Sequence, residues 1–82
     1  MAMTYSYDDD GDILYVQFSN AKVDRTKCLD DLRNVDIGRN GVPVGVEFIG
    51  ASGGLDLTDV PHAEKIAALI AAEKLDIPIL VP

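Results

Sequence analysis

Eighty-two residues with seven basic against fourteen acidic side chains carry a formal charge of −7, which opposes sequence-independent binding to phosphate backbones. The single cysteine, Cys28, excludes an intramolecular disulfide, and no Cys/His cluster has metal-ligand spacing. A chain this short forms one domain, 1–82, and buries only about 60–65% of its unfolded surface, so association with a partner is the expected further source of stability.

Met3 to Asp8 alternate with period 2, Met3, Tyr5 and Tyr7 on one side and Thr4 and Ser6 on the other, the pattern of a half-buried strand. Asp8-Asp9-Asp10-Gly11-Asp12 is turn chemistry. A loop from Asp9 to Asp12 sets Tyr7 opposite Leu14, Tyr5 opposite Val16 and Met3 opposite Phe18, so the apolar rows coincide. The second strand, Ile13 to Ser19, then points Leu14, Val16 and Phe18 inward and Ile13, Tyr15 and Gln17 outward. After a turn at Ser19 to Lys22, the stretch Val23 to Leu29 carries charge on both faces and is predicted as an edge strand, whose charges discourage pairing with stray chains. The cations Lys22, Arg25, Lys27, Arg33 and Arg39 all fall in mid-chain and are read as a solvated strand face.

Asn34 to Gly50 reads as a complete hairpin, because Asn40-Gly41 suits the positive φ angles of a type I′ turn. A two-residue loop there places Val44 opposite Ile37 and Val46 opposite Val35. A four-residue loop from Gly38 to Gly41 moves the pairing by two positions and leaves the faces unchanged. Val35, Ile37, Val44, Val46 and Phe48 form the core face, while Asn34, Asp36, Gly45 and Glu47, with Leu32 and Ile49 at the far end, form the other.

Residues 51–58 read as a linker beginning with the small residues Ala51 to Gly54. A helix follows over about 61–74, with Thr58 or Asp59 as its cap, Pro61 tolerated in its first turn and Glu64 complementing its dipole. Its stripe of Ala63, Ile66, Ala67, Leu69 and Ile70 is expected to cover the sheet. Residues 76–82, interrupted by Pro78, form an extended apolar tail that packs on its own body or on another subunit. The fold class is therefore α+β: an antiparallel sheet of four or five strands over 3–50, a meander of hairpins, with one C-terminal helix on one face.

Candidate chemistry is sparse. Asp8, Asp10 and Asp12 fail as a calcium loop, since the sixth position from Asp8 is Ile13 and the twelfth Ser19, where glycine and glutamate are required. Asp36 and Glu47 share a face and could divide acid and base roles in a hydrolase or metal enzyme, but no adjacent His, Cys or Lys completes a site. His62 and Cys28 lack partners that sequence can identify. No catalytic residue, metal or cofactor is assigned. The outward row of Ile13, Tyr15 and Gln17, with Glu47, Ile49 and the tail residues Ile79 and Leu80, is assigned instead to an interface. The expected function is a non-catalytic module that self-associates as a homodimer. The amino terminus lacks a basic and apolar leader pattern and no apolar run reaches about 20 residues, so the expected compartment is the cytoplasm.

Tyr7-Asp8, then Asp12-Ile13-Leu14-Tyr15-Val16, then Val35-Asp36-Ile37 and finally Gly41-Val42-Pro43-Val44-Gly45-Val46-Glu47-Phe48-Ile49 together resemble the domain of unknown function 2283 family of small prokaryotic proteins, over roughly residues 5 to 52. The resemblance implies a small antiparallel sheet with a helix, self-association and no established activity. Some relatives look like antitoxin partners, which makes an acidic antitoxin for a small basic toxin the alternative function.

Overall fold

The computed structural model describes residues 3–80. Five strands, β1 (Thr4–Asp8), β2 (Ile13–Gln17), β3 (Val23–Asp30), β4 (Arg33–Gly38) and β5 (Pro43–Ile49), form one antiparallel sheet in the order β1-β2-β5-β4-β3. The α+β class and the single helix over one face are as the sequence predicts. The strand order adds a feature that local pattern does not carry. Residues 18–22 take the chain from β2 to the far edge, and β5 returns to lie beside β2, the Greek-key order.

The first hairpin has the expected register, Tyr7 opposite Leu14 and Tyr5 opposite Val16. The second also sets Val35 opposite Val46, but its turn differs. Asn40 does not take positive φ; Gly41 alone does, at 84°. Gly41 N–H donates to the Gly38 carbonyl at 2.9 Å and Gly38 N–H to the Val42 carbonyl at 2.9 Å. This is a type I turn followed by a left-handed glycine, not type I′. The register shifts as a result: Asp36 faces Gly45 while Ile37 faces Pro43, leaving Val44 as the extra residue. The Val44 carbonyl is then used by the β2 side, accepting from Phe18 N–H at 2.7 Å.

Docking β5 on β2 brings Leu14 opposite Phe48 and Val16 opposite Val46. These four, with Val35, are buried beneath Ile66 and Ile70 of helix α1 (Ala63–Ala72). Phe18, Ile37 and Leu69 are half-buried against the same cluster. Fully burying one Val, Leu, Ile or Phe side chain contributes about 1.5–3 kcal/mol, so this layer dominates the stability of the domain.

The segment expected as a linker is part of the core. Ala51 heads a 3-10 turn (Ala51–Gly53), and Ala51, Leu55 and Val60 are all buried. β6 (Leu55–Asp56) pairs in parallel with β7 (Ile79–Leu80), and Leu55 N–H donates to the Pro78 carbonyl at 2.8 Å. Ile77 and Ile79 are thereby packed against the chain's own core. Gly54, at φ 120°, gives way to this tail: a Cβ there would lie 2.6 Å from Leu80 Cδ2. Residues 81–82 of the predicted tail lie outside the described residues.

The helix is shorter than 61–74, and neither Thr58 nor Asp59 caps it. His62, at φ 57°, is the N-cap and makes no side-chain capping bond. Asp59 is also left-handed, at φ 62°, so residues 59–62 form a turn that buries Val60 before the helix can start. The helix stops as predicted by Lys74, which adopts φ 53°. Leu75 N–H donates back to the Ile70 carbonyl at 3.2 Å, the six-to-one bond of a Schellman motif.

Candidate functional site

The uncovered face of the sheet collects the polar residues predicted for it. Tyr15 lies opposite Glu47, and Asp36 opposite Gly45. The space above Gly45, which the sequence leaves open, is filled by the Tyr15 ring. A Cβ on Gly45 would stand 2.6 Å from Tyr15 Cζ. Lying across that glycine, the phenol donates to Asp36 Oδ2 at 2.8 Å. Thr26 of β3 donates to the other oxygen, Asp36 Oδ1, at 2.6 Å. Glu47 is held separately, accepting from Asn34 Nδ2 at 2.9 Å. The two carboxylates thus sit in different hydrogen-bond groups, Asp36 with two hydroxyls and Glu47 with an amide.

Burial, the bond to Asp36 and the charges of Asp36 and Glu47 push the Tyr15 phenol up to about 12. The folded state therefore holds this proton where an unfolded tyrosine, at its ordinary 10.0, releases it. Its contribution to stability is fully present below pH 10 and is lost as pH rises from 10 toward 12. Urea titrations across that window are expected to show a shallower alkaline loss for Tyr15→Phe than for the unmodified protein, and equal slopes would contradict the assignment.

In the acidic loop the carboxylates of Asp8 and Asp12 take hydrogen-bond donors of the chain itself. Asp8 Oδ1 accepts from its neighbour Asp10 N–H at 3.1 Å, while Asp12 turns toward the 3-10 segment. Asp12 accepts from Ser52 N–H at 2.9 Å, the Ser52 hydroxyl at 2.6 Å and the Tyr7 hydroxyl at 2.6 Å. These donors, Ser52 above all, hold its carboxyl below the usual range. The loop is a clasp between the first hairpin and residues 51–53.

Sequence reading placed Arg33 on a solvated strip, yet its side chain is buried. It forms a two-point ion pair with Asp30, Nε at 3.0 Å and Nη2 at 2.9 Å, and its Nη1 donates to the carbonyls of Asp56 at 3.0 Å and Thr58 at 2.5 Å. Only the Asp30-x-x-Arg33 spacing hinted at part of this.

The assigned interface residues divide. Tyr15 and Glu47 serve the polar groups above, and Gln17 Nε2 donates to the Ser19 carbonyl at 2.8 Å. Ile13 is paired with Ile49, and Ile49 shares a shallow apolar hollow with Leu32 and Leu80, which are 53% and 47% exposed. Ile79, beside Leu80, faces inward. The sheet end and the tail therefore form one patch, bordered by Asp30 and Asp56.

The two sheet edges also differ. β3 carries Asp24, Arg25, Lys27 and Asp30 and has register shifts at Val23/Arg25 and Cys28/Asp30. Charges and bulges on an edge disfavour strand addition. β1 pairs with β2 without interruption, and its first four residues, Thr4-Tyr5-Ser6-Tyr7, carry no charge and no proline.

Among the described residues no helix is long and apolar enough to cross a membrane. Neither the curated proteins nor the solved structures contain a match to the chain. The model of a family described as protein of unknown function DUF2283 matches residues 4–52, the five strands together with the start of the 3-10 turn that Asp12 clasps. With more than half its length matched, and with the signature positions building the sheet, the chain belongs to the DUF2283 family.

Proposed function

We propose that the protein is a non-catalytic interaction module that forms a homodimer by pairing β1 with β1 of a second copy. The observation that carries this is the undefended β1 edge, set against the charged and bulged β3 edge of the same sheet. A two-fold interface must be self-complementary, and Tyr5-Ser6-Tyr7 reads the same in both directions. Antiparallel pairing about Ser6 sets Tyr5 opposite Tyr7 on the core side and Thr4 opposite Asp8 on the other. Tyr7, 38% exposed, gains a cross-strand aromatic neighbour. The acidic charge does not oppose this geometry strongly. The two Asp8 carboxylates stand about 14 Å apart along the strands, beyond the screening length of about 8 Å at physiological salt.

Ser6 faces away from the core, so its replacement leaves the buried layer intact. Sedimentation equilibrium is expected to give a dimer for the unmodified chain and a monomer for Ser6→Lys, where two like charges would meet. A monomeric unmodified chain, or a Ser6→Lys dimer of undiminished affinity, would refute the proposal. The second reading is an acidic, antitoxin-like partner for a small basic protein. The formal charge of −7 favours it, because an acidic surface steers a basic partner, and the exposed apolar patch of Leu32, Ile49 and Leu80 offers a contact.

A further inference from the structure

A groove of about 410 Å³ runs along α1 on the helix side of the sheet. One wall is Met3 and Phe18; the other is a single ridge of the helix, His62, Lys65, Leu69 and Ala72, with Ala68 beside it. The ten helical residues span about 15 Å. The groove's chemistry is graded from end to end. His62 and Lys65 stand at the amino-terminal end of the helix, and from Ala68 to Ala72 only methyl and isobutyl groups line it.

We infer that this groove binds a linear amphipathic carboxylate, the head at His62 and Lys65 and the hydrocarbon along Ala68, Leu69 and Ala72. Four observations converge on that class. In a chain with twice as many acids as bases, both ionisable residues of the groove are basic types. They sit at the positive end of the helix dipole, where no side chain makes a capping hydrogen bond and Glu64, which does not line the groove, is the acidic residue of the first turn. The His62 ring is fixed there, edge-on to Phe18 with centroids 4.8 Å apart. The exposed alanines Ala68 and Ala72 leave room for a chain that larger side chains would fill. A neutral lipid would leave the basic end unmatched, and a short polar anion would leave the apolar end wet.

The probe is decanoate below its micelle concentration, followed by amide chemical shifts of the full chain, with decanol as the neutral control. Saturable shifts confined to residues around Met3, Phe18, His62, Lys65 and Leu69 are expected, with decanol at least tenfold weaker. Lys65→Glu is expected to weaken decanoate at least tenfold, and Ala72→Phe to abolish binding, each with an unchanged melting temperature. Ser6→Lys protein is expected to bind as the unmodified chain does, because the groove is complete within one copy; this separates the inference from the dimer proposal. Absence of saturation, equal affinity for decanol, or full affinity in Lys65→Glu would overturn it. So would shifts of the same amides on raising protein concentration alone, which would assign the groove to a second copy.

Discussion

Arg33→Ala is expected to lower the stability of the domain by about 3 kcal/mol, since it removes two part-buried hydrogen bonds from a charged donor, each worth about 1.5–3 kcal/mol. The guanidinium is the link between β4 and the segment that supplies Leu55 and Val60 to the core. Its loss frees the Asp56 and Thr58 carbonyls and releases the turn that holds Val60. At about 4–8 °C per kcal/mol for a domain of this size, the melting temperature is expected to fall by roughly 12–24 °C. The partner gives the control. Asp30 is 46% exposed in its side chain, so its ion pair is partly screened, and Asp30→Ala is expected to cost less than Arg33→Ala. Equal losses for the two variants would mean that the ion pair, rather than the carbonyl contacts, is what Arg33 contributes.

Gly45→Ala is expected to be nearly as damaging, although alanine is the smallest replacement. The added Cβ would lie 2.3 Å from Tyr15 Oη and 2.8 Å from the Val16 carbonyl. The first contact displaces the phenol from Asp36; the second presses on backbone, which cannot rotate away. Overpacking costs about 1–3 kcal/mol, and a hydrogen bond to a charged group about 1.5–3 kcal/mol, for an expected total near 3 kcal/mol by urea denaturation. Because the two effects share one side chain, they are coupled. Tyr15→Ala added to Gly45→Ala is expected to cost less than the sum of the single changes, with the Val16 clash remaining. A Gly45→Ala protein within about 0.5 kcal/mol of the original would show that Tyr15 has another resting place.

The layers of this protein were legible where side-chain period alone decides them. Leu14 and Val16, Val35, Val46 and Phe48 alternate with polar residues, so their common face followed from the two-residue repeat. The Tyr7 to Leu14 register followed because a four-residue loop aligns the two apolar rows where a three-residue one does not. Contacts between elements distant in sequence were not legible. Gly45 looked like open space because the residue that fills it, Tyr15, arrives through the β2 to β5 pairing, and no local pattern announces a Greek-key return. Arg33 was indistinguishable from a solvated base because two of its partners are main-chain carbonyls, which carry no residue identity. The helix start was misplaced for a similar reason. Thr58 and Asp59 have capping side chains, but Asp56 engages Thr58 N–H at 3.0 Å and the chain turns at Asp59 to bury Val60.

That β1 is the surface on which two copies meet is tested most directly by mixing Ser6→Lys with Ser6→Glu protein and measuring the mass in solution. Each variant alone sets like charges opposite one another at the centre of the pairing, and the mixture sets opposite ones. Two monomers that combine one-to-one into a dimer are the predicted result; a mixture that stays monomeric, or variants that dimerise unmixed, would contradict it.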